Sequence, residues 1–301
     1  MAKVSIVMAV WNTSHLLWRT LDTLMRQSYK DFEVIVVDDN SEDDVEAAVA
    51  PYRDKLDIKV HRLVHNFGMR GNTVSFNVGF SLASGQMILE NTPEIMFYDH
   101  TVEDMVEALG KFGPRSWVSI RTYNITPEDQ VVIDTVDWKN DIHSLENLPN
   151  FHSDWTQNNT KQDFFGTHQT CIFYRDDWFT YWKRYPSFLD YGTDDPWNAG
   201  VRQRMEIQSA TIKPFVFHQW HAPIAFWMTQ GKAPHWNMWG HTLKNYFNDP
   251  RVPPGGTAEM WDKNNPKGQD YQFNEEEAAG WAVWKDRVKE SGFKRKDGED
   301  W

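Results

Sequence analysis

The sequence predicts an α/β protein built on a mostly parallel sheet with helices on both faces. Three observations predict it. Apolar strand patterns and helix-period patterns alternate through the first 120 residues. Their connections are short and return each strand in the same direction, as parallel sheets covered by helices require. Polar breaks follow the first, second and fourth strands, and ligands of such sheets sit at the carboxyl ends of strands.

Residues 4–10 form a β-rich apolar run, broken by Trp11-Asn12-Thr13-Ser14, with Ser14 as the predicted N-cap. Leu17, Leu21, Leu24 and Met25 then recur at helical spacing. Residues 32–37 are a second strand that ends abruptly in Asp38-Asp39-Asn40-Ser41, followed by a short acidic helix through Val45, Ala48 and Val49. Residues 56–63 alternate as a third strand. A Gly/Asn-rich loop over 65–72 leads into a helix with Val74, Val78, Phe80 and Leu82 apolar, stopped by Gly85. Met87-Ile88-Leu89 is a short buried strand running into Glu90-Asn91-Thr92-Pro93-Glu94. A helix near 102–109 and a strand near 117–120 complete the alternation. The second half is less regular. Residues 131–160 read as loop with short strands, and strand character resumes over 161–175. Helices are expected at 176–184 and 197–205, strands at 207–220 and a last helix at 275–290.

Composition sets outer bounds. The chain has 301 residues, 40% hydrophobic and 25% charged, which is ample for a packed core. Its formal net charge of -12 repels phosphate backbones, so nucleic acid is not an expected partner. The single cysteine, Cys171, excludes an intrachain disulfide and suits a reducing compartment. It reads as a buried strand residue rather than a nucleophile. No signal peptide and no apolar run of about 18 residues is visible, so the expectation is a cytoplasmic protein with no membrane span. Tryptophans cluster from residue 138 onward, as core fillers or as faces for stacking sugars or bases.

Four clusters can carry chemistry. Asp38 and Asp39 end an apolar strand, where a carboxylate either accepts hydrogen bonds from a nucleotide's base or ribose or, with Asn40, caps the next helix. Glu90 and Glu94 bracket Asn91-Thr92-Pro93. They read either as oxygen ligands for a cation that neutralises a leaving diphosphate, or as an ordinary polar loop. Asp194-Asp195 supplies a general base for an acceptor hydroxyl, or caps a helix that Pro196 begins. His218 and His221 read as metal ligands, or one as a ligand while the other packs.

Together these residues resemble the family-two glycosyltransferases, inverting enzymes of the GT-A fold. Residues 4–12, Val-Ser-Ile-Val-Met-Ala-Val-Trp-Asn, resemble the family's opening "VSVIIPVYN". Residues 27–41 match "QTYPNFEIIVVDDGS" almost throughout, and Asn66, Gly68, Asn77, Gly79 and Gly85 follow its spaced Asn and Gly positions. Thr193-Asp194-Asp195 resembles the later "GED" step, and residues 218–221 the late histidine. The resemblance implies a nucleotide-sugar donor, most commonly a UDP-sugar in this family, and a divalent cation, Mn²⁺ or Mg²⁺. It implies that Trp11 stacks on the nucleobase, that Asp39 contacts the base with Asp38 beside it, and that Ala9, Val10, Asn66, Asn72 and Asn91 line the nucleotide site. Asp195 would be the general base, with Asp194 its neighbour, and His218 or His221 a metal ligand. One departure stands out. The family's Asp-x-Asp at the end of the fourth strand is replaced here by Thr92-Pro93-Glu94, with Glu94 at the place of the last Asp.

The expected organisation is a GT-A domain over 1–225, with a nucleotide-sugar half to 120 and an acceptor half after it, then a Trp-rich extension over 226–301. The acceptor class, whether glycan, lipid-linked sugar or protein, is not legible. A nucleotidyltransferase would need a glycine- and basic-rich phosphate loop near its start, and Val10-Trp11-Asn12-Thr13 is neither. A non-catalytic nucleotide-sugar-binding relative is the remaining alternative, raised by the missing Asp-x-Asp.

Overall fold

A computed structural model of the chain describes residues 3–64, 71–151, 170–178 and 208–219. The described residues form one eight-stranded sheet: β1 (Val4–Val10), β2 (Phe32–Asp38), β3 (Ile58–Arg62), β4 (Met87–Asn91), β5 (Ile95–Met96), β6 (Ser116–Asn124), β7 (Thr170–Tyr174) and β8 (Gln208–His218). Their order across the sheet is β3-β2-β1-β4-β7-β6-β8-β5. Strands β3, β2, β1 and β4 are mutually parallel, in register Val10↔Asp38 and Met8↔Asn91. These are the elements the sequence shows most plainly.

Beyond β4 the sheet departs from simple alternation. The strand expected near 117–120 is present as β6, but it does not pair with β4. β7 enters between them, antiparallel to both. β8 runs parallel to β6, so its carboxyl end, His218, lies at the same edge of the sheet as Val10, Asp38 and Asn91. The β6–β8 register shifts between Ile120 and Arg121, leaving Lys213 and Pro214 without partners on β6. Proline is tolerated in a strand at such an interruption, and the interruption bends the sheet. β5, antiparallel to β8, follows β4 after only Thr92, Pro93 and Glu94. Four residue steps span at most about 14 Å. Four strand spacings in a flat sheet come to about 19 Å. The sheet therefore curls, and the Thr92–Glu94 bridge is the chord that draws its two halves together.

Two helices pack on opposite faces of the parallel half. Helix α1 (Ser14–Met25) buries Leu16, Leu17, Leu21 and Leu24, the last three in a cluster with Ile6, Met8, Val34 and Val36. After the short helix α2 (Val45–Val49), helix α3 (Gly71–Leu82) lies on the other face, as strand alternation requires. There, a Cβ on Gly79 would stand 2.2 Å from the Val7 Cγ1 and 3.2 Å from the Val37 Cγ2. Helix α4 (Thr101–Phe112) adds Val102, Met105 and Leu109 to the α1-side core.

Two local expectations are corrected. Thr13, not Ser14, occupies the N-cap of α1 and makes no side-chain cap bond; the Ser14 N–H is instead taken by the Asp43 carboxylate at 2.8 Å. The stretch after β6, expected as loop with short strands, instead carries short helical pieces separated by turns, the last ending at Asn147. Helix α5 (Pro127–Val132) begins at Thr126, whose side chain accepts from the Asp129 N–H. Short 3-10 helices at Ile133–Thr135 and Ile142–Asn147 follow. Ile133, Trp138, Ile142, Leu145 and Leu148 build a second core with Met96, Tyr123 and Phe217. The cue was present in Thr126-Pro127-Glu128-Asp129, an N-cap followed by proline at the first helical position and acids in the first turn. The helix expected at 176–184 beyond Trp178, the one at 197–205 and the extension over 226–301 lie outside the described residues. Cys171 is buried in β7, as expected.

Candidate functional site

The carboxyl edge of the sheet gathers the acidic groups. The turns after β1 and β2 are stitched to each other. The Asn12 N–H donates to the Ser41 Oγ at 3.1 Å, and the Glu42 N–H to the Asn12 Oδ1 at 2.7 Å. Asn12 and Asn40 both take φ +53°, a left-handed conformation that asparagine tolerates better than most residues. Asp38 is buried. One of its oxygens accepts from the Ser41 N–H at 2.8 Å and the other pairs with Arg62 at 2.7 Å. Arg62 also donates to Asn40 and to the Ser41 carbonyl. The helix-capping alternative for Asp39 and Asn40 is not realised, because Asp44 caps α2. Asp39 is buried beside Asp38, and its N–H donates to the Val10 carbonyl at 2.8 Å. Ala9 and Val10 lie in β1 against Val37 and Asp38, and Trp11 follows, partly buried.

After β4 the geometry tightens. Asn91 is wholly buried. It accepts from the Thr170 Oγ1 at 2.9 Å and donates to the Thr92 carbonyl at 2.8 Å, which makes it a strut of the β4–β7 junction. Glu90 is buried in β4 opposite Cys171. The Glu94 Oε1 stands 3.2 Å from the His218 Nε2, both side chains nearly buried. Residues 124 positions apart, singled out separately, are thus brought into contact. The register Ile95↔His218 between β5 and β8 is what joins them.

A carboxylate oxygen and an imidazole nitrogen at the mouth of a sheet form a donor pair that fits a divalent cation. The imidazole favours Mn²⁺ over Mg²⁺, which prefers all-oxygen surroundings. Among the described residues no third His, Cys, Asp or Glu completes a cluster, so further ligands would come from a bound diphosphate or from His221. Three buried oxygens in the same edge loops have no hydrogen-bond partner among the described residues: Thr13 Oγ1 after β1, Asp43 Oδ1 after β2 and Thr92 Oγ1 after β4. Asn66, Asp194, Asp195 and His221 lie outside the described residues, and Asn72 is placed only as part of α3.

Sequence reasoning missed two side chains of this edge. Arg62, at the end of β3, holds the turn around Asp38. Gln219, next to His218, is completely buried and hydrogen-bonded to the Glu94 carbonyl. Nothing in their local sequence marks them, since their partners are distant in the chain.

A curled, mostly parallel sheet with its acidic edge at the carboxyl ends of β1, β2 and β4 defines a GT-A glycosyltransferase fold. The chain belongs to glycosyl transferase family 2: the family's model matches residues 5–182, more than half of it. Over 91 residues it is 35% identical to the poly(ribitol-phosphate) beta-N-acetylglucosaminyltransferase TarS of Staphylococcus aureus, covering 30% of this chain and 16% of that protein. Over 153 residues it is 30% identical to the hyaluronan synthase of Pasteurella multocida, covering 48% of this chain and 14% of that protein. The chain spans a third or less of the first curated relatives it matches. Among solved structures, S. aureus TarS 1–349 aligns with a TM-score of 0.52 at 15% identity, over 96% of this chain and 80% of that one. The Pyrobaculum calidifontis mannosyltransferase PcManGT, solved with GDP-Man and Mn²⁺, aligns with a TM-score of 0.53 at 17% identity, over 97% and 76%. These structural likenesses show the fold. Among the described residues no helix is long and apolar enough to cross a membrane.

Proposed function

We propose that this chain transfers a sugar from a nucleoside diphosphate donor, UDP-linked, to an acceptor hydroxyl with inversion at the anomeric carbon, assisted by a divalent cation. The observation that carries the reading is the Glu94–His218 contact at the carboxyl edge of the sheet, 3.2 Å across. Support comes from the relatives: TarS has been solved with UDP, and PcManGT with GDP-Man and Mn²⁺.

In this reading Ala9, Val10, Trp11, Asp38, Asp39, Asn66 and Asn72 receive the nucleoside. Arg62 keeps the Asp38 turn in place beneath it, and Asn91 shapes the strand end. Glu94 and His218, with His221, would hold the cation. A cation there would neutralise charge on the departing diphosphate, an electrostatic contribution of several kcal/mol in general. The acceptor hydroxyl gives its proton to the carboxylate of Asp195, with Asp194 beside it, as its oxygen bonds to the anomeric carbon and the bond from that carbon to the diphosphate oxygen breaks. Cytoplasmic location is part of the reading, consistent with a lone buried cysteine. The acceptor is a glycan, a lipid-linked sugar or a protein.

Calorimetric titration with UDP and GDP, each with and without Mn²⁺, tests the donor site. UDP binding that strengthens with Mn²⁺ is expected; no binding of either nucleotide under any condition overturns the proposal. For the base, Asp195→Asn is expected to lower turnover about 10²–10⁴-fold. Melting should be unchanged. An Asp195→Asn protein with full turnover would remove Asp195 from that role.

A further inference from the structure

The three-residue bridge that replaces the Asp-x-Asp is held by its backbone oxygens. The Thr92 carbonyl accepts from the Asn91 Nδ2 at 2.8 Å, the Pro93 carbonyl from the Thr20 Oγ1 at 2.6 Å and the Glu94 carbonyl from the Gln219 Nε2 at 3.2 Å. Three successive carbonyls are therefore each gripped by a different side chain. Gln219 does most to fix the last of them. Its own N–H donates to the Glu94 carbonyl at 3.0 Å, and its Nε2 also donates to the Leu16 carbonyl in α1 at 3.2 Å. Its Oε1 accepts from Arg19 at 3.2 Å. Arg19, stacked over the Trp18 ring, reaches Asp134 with its two remaining nitrogens, and Asp134 also accepts from the Trp138 indole. Hydrogen bonding to Arg19 holds the Asp134 carboxyl below the usual range, outweighing its partial burial.

A fully buried glutamine whose amide reaches two chain segments and an arginine is costly to leave unsatisfied. An apolar residue of the same size would fill the space but would strip the Glu94 carbonyl of its side-chain donor, leaving it with the backbone N–H of residue 219, and would cut the side-chain ties to Leu16 and Arg19. Because residue 219 follows His218 directly, one side chain ties both members of the proposed cation pair to α1.

We infer that Gln219 is a positioning residue that sets the Glu94 carboxylate against the His218 ring, and that the Arg19–Asp134 pair braces it from the second core. This rests on the reading of Glu94 and His218 as the cation site. Removing an outer partner of a metal ligand generally costs about 10–100-fold in metal affinity. Gln219→Leu is thus expected to raise the Mn²⁺ concentration for half-maximal UDP binding about 10–100-fold. UDP affinity at saturating Mn²⁺ should stay within about twofold, because the nucleoside contacts lie on other strands. Arg19→Leu should move the Mn²⁺ midpoint the same way by a smaller factor, and it decides the matter if Gln219→Leu does not fold. A merely structural defect lowers the number of binding-competent molecules, read from the calorimetric stoichiometry, without moving the midpoint.

Glu94→Ala is measured alongside. If Glu94→Ala loses the Mn²⁺ effect while the Gln219 and Arg19 variants keep the parent midpoint, the positioning inference is overturned and the cation reading stands. If Glu94→Ala keeps the parent midpoint, the cation site itself is wrong and the inference falls with it.

Discussion

The two ends of the parallel sheet both bury carboxylates, and they treat them in opposite ways. At the amino end Glu33, in β2, is fully buried. It accepts from the Ser5 Oγ at 2.7 Å, the Ser84 N–H at 2.8 Å and the Ser84 Oγ at 2.6 Å, and pairs with Lys59 at 2.7 Å. Burial pushes this carboxyl up, but the bonds from Lys59, Ser84 and Ser5 outweigh it and hold it at about 2. The circuit closes through Ser5, whose Oγ accepts the Gly85 N–H at 2.9 Å. At the carboxyl end Glu94 faces a histidine, and oxygens of Thr13, Asp43 and Thr92 with no hydrogen-bond partner among the described residues lie in the flanking loops. A buried carboxylate is therefore no mark of function by itself. One surrounded by donors serves the fold; one at a strand's carboxyl end, where ligands of such sheets sit, is a candidate for chemistry.

Substitution should separate the two ends. Glu33→Ala strips the Ser5 and Ser84 donors of their acceptor, and leaving buried donors unsatisfied generally costs about 1–3 kcal/mol. Thermal or urea denaturation should register that loss, while the protein that remains folded binds UDP and Mn²⁺ normally. Glu94→Ala should do the reverse, losing Mn²⁺-linked UDP binding with little change in melting. If Glu33→Ala abolished nucleotide binding in folded protein, the division between the ends would be wrong.

Acid sharpens the contrast. The folded Glu33 carboxyl lies below its ordinary value of 4.5, at about 2. Its contribution to stability is therefore complete above pH 4.5 and is lost as pH falls towards 2. The full loss amounts to about 3 kcal/mol, at about 1.4 kcal/mol per pH unit. Urea midpoints measured from pH 6 down to pH 2.5 should fall more steeply for the parent than for Glu33→Gln. Parallel curves would show that Glu33 does not govern the acid limb.

The last expected effect comes from the helix between the two ends. Gly79→Ala places a methyl group 2.2 Å from the Val7 Cγ1, so α3 must lift from β1 and β2. Overpacking of this kind costs about 1–3 kcal/mol. Because α3 packs against β1 and β2, whose carboxyl ends receive the nucleoside in the proposed reading, UDP affinity should weaken together with stability. A Gly79→Ala protein as stable as the parent would contradict the close approach.

Much of the parallel half is legible in the amino-acid sequence. β1, β2 and β4 are apolar runs with abrupt polar ends, and burial on both faces makes such runs nearly continuous. Glu94 emerges as a carboxylate just beyond the β4 run, at the place the family resemblance gives its last Asp, and His218 from its place at the end of a strand-like run. The Arg62 brace and the Glu33 circuit are not legible, because a charged residue in a strand reads the same whether its partners are water or a neighbouring strand. The helical insertion after β6 carries a readable cap at Thr126, but its aromatic and asparagine content masks the short turns.

What the sequence determined by itself is local: the strand and helix periods of residues 4–112, the polar breaks at strand ends, and the residue types able to meet a nucleotide or a cation. Tertiary structure alone decided which of these meet. β7 enters between β4 and β6 from more than 45 residues beyond the end of β6 in the chain. His218 reaches Glu94 from 124 residues away because β8 runs parallel to β6 and pairs with β5. Periodicity reports how a segment is buried, not what it is buried against, and strand pairing is set by the packing of the whole sheet. The site is a property of that pairing.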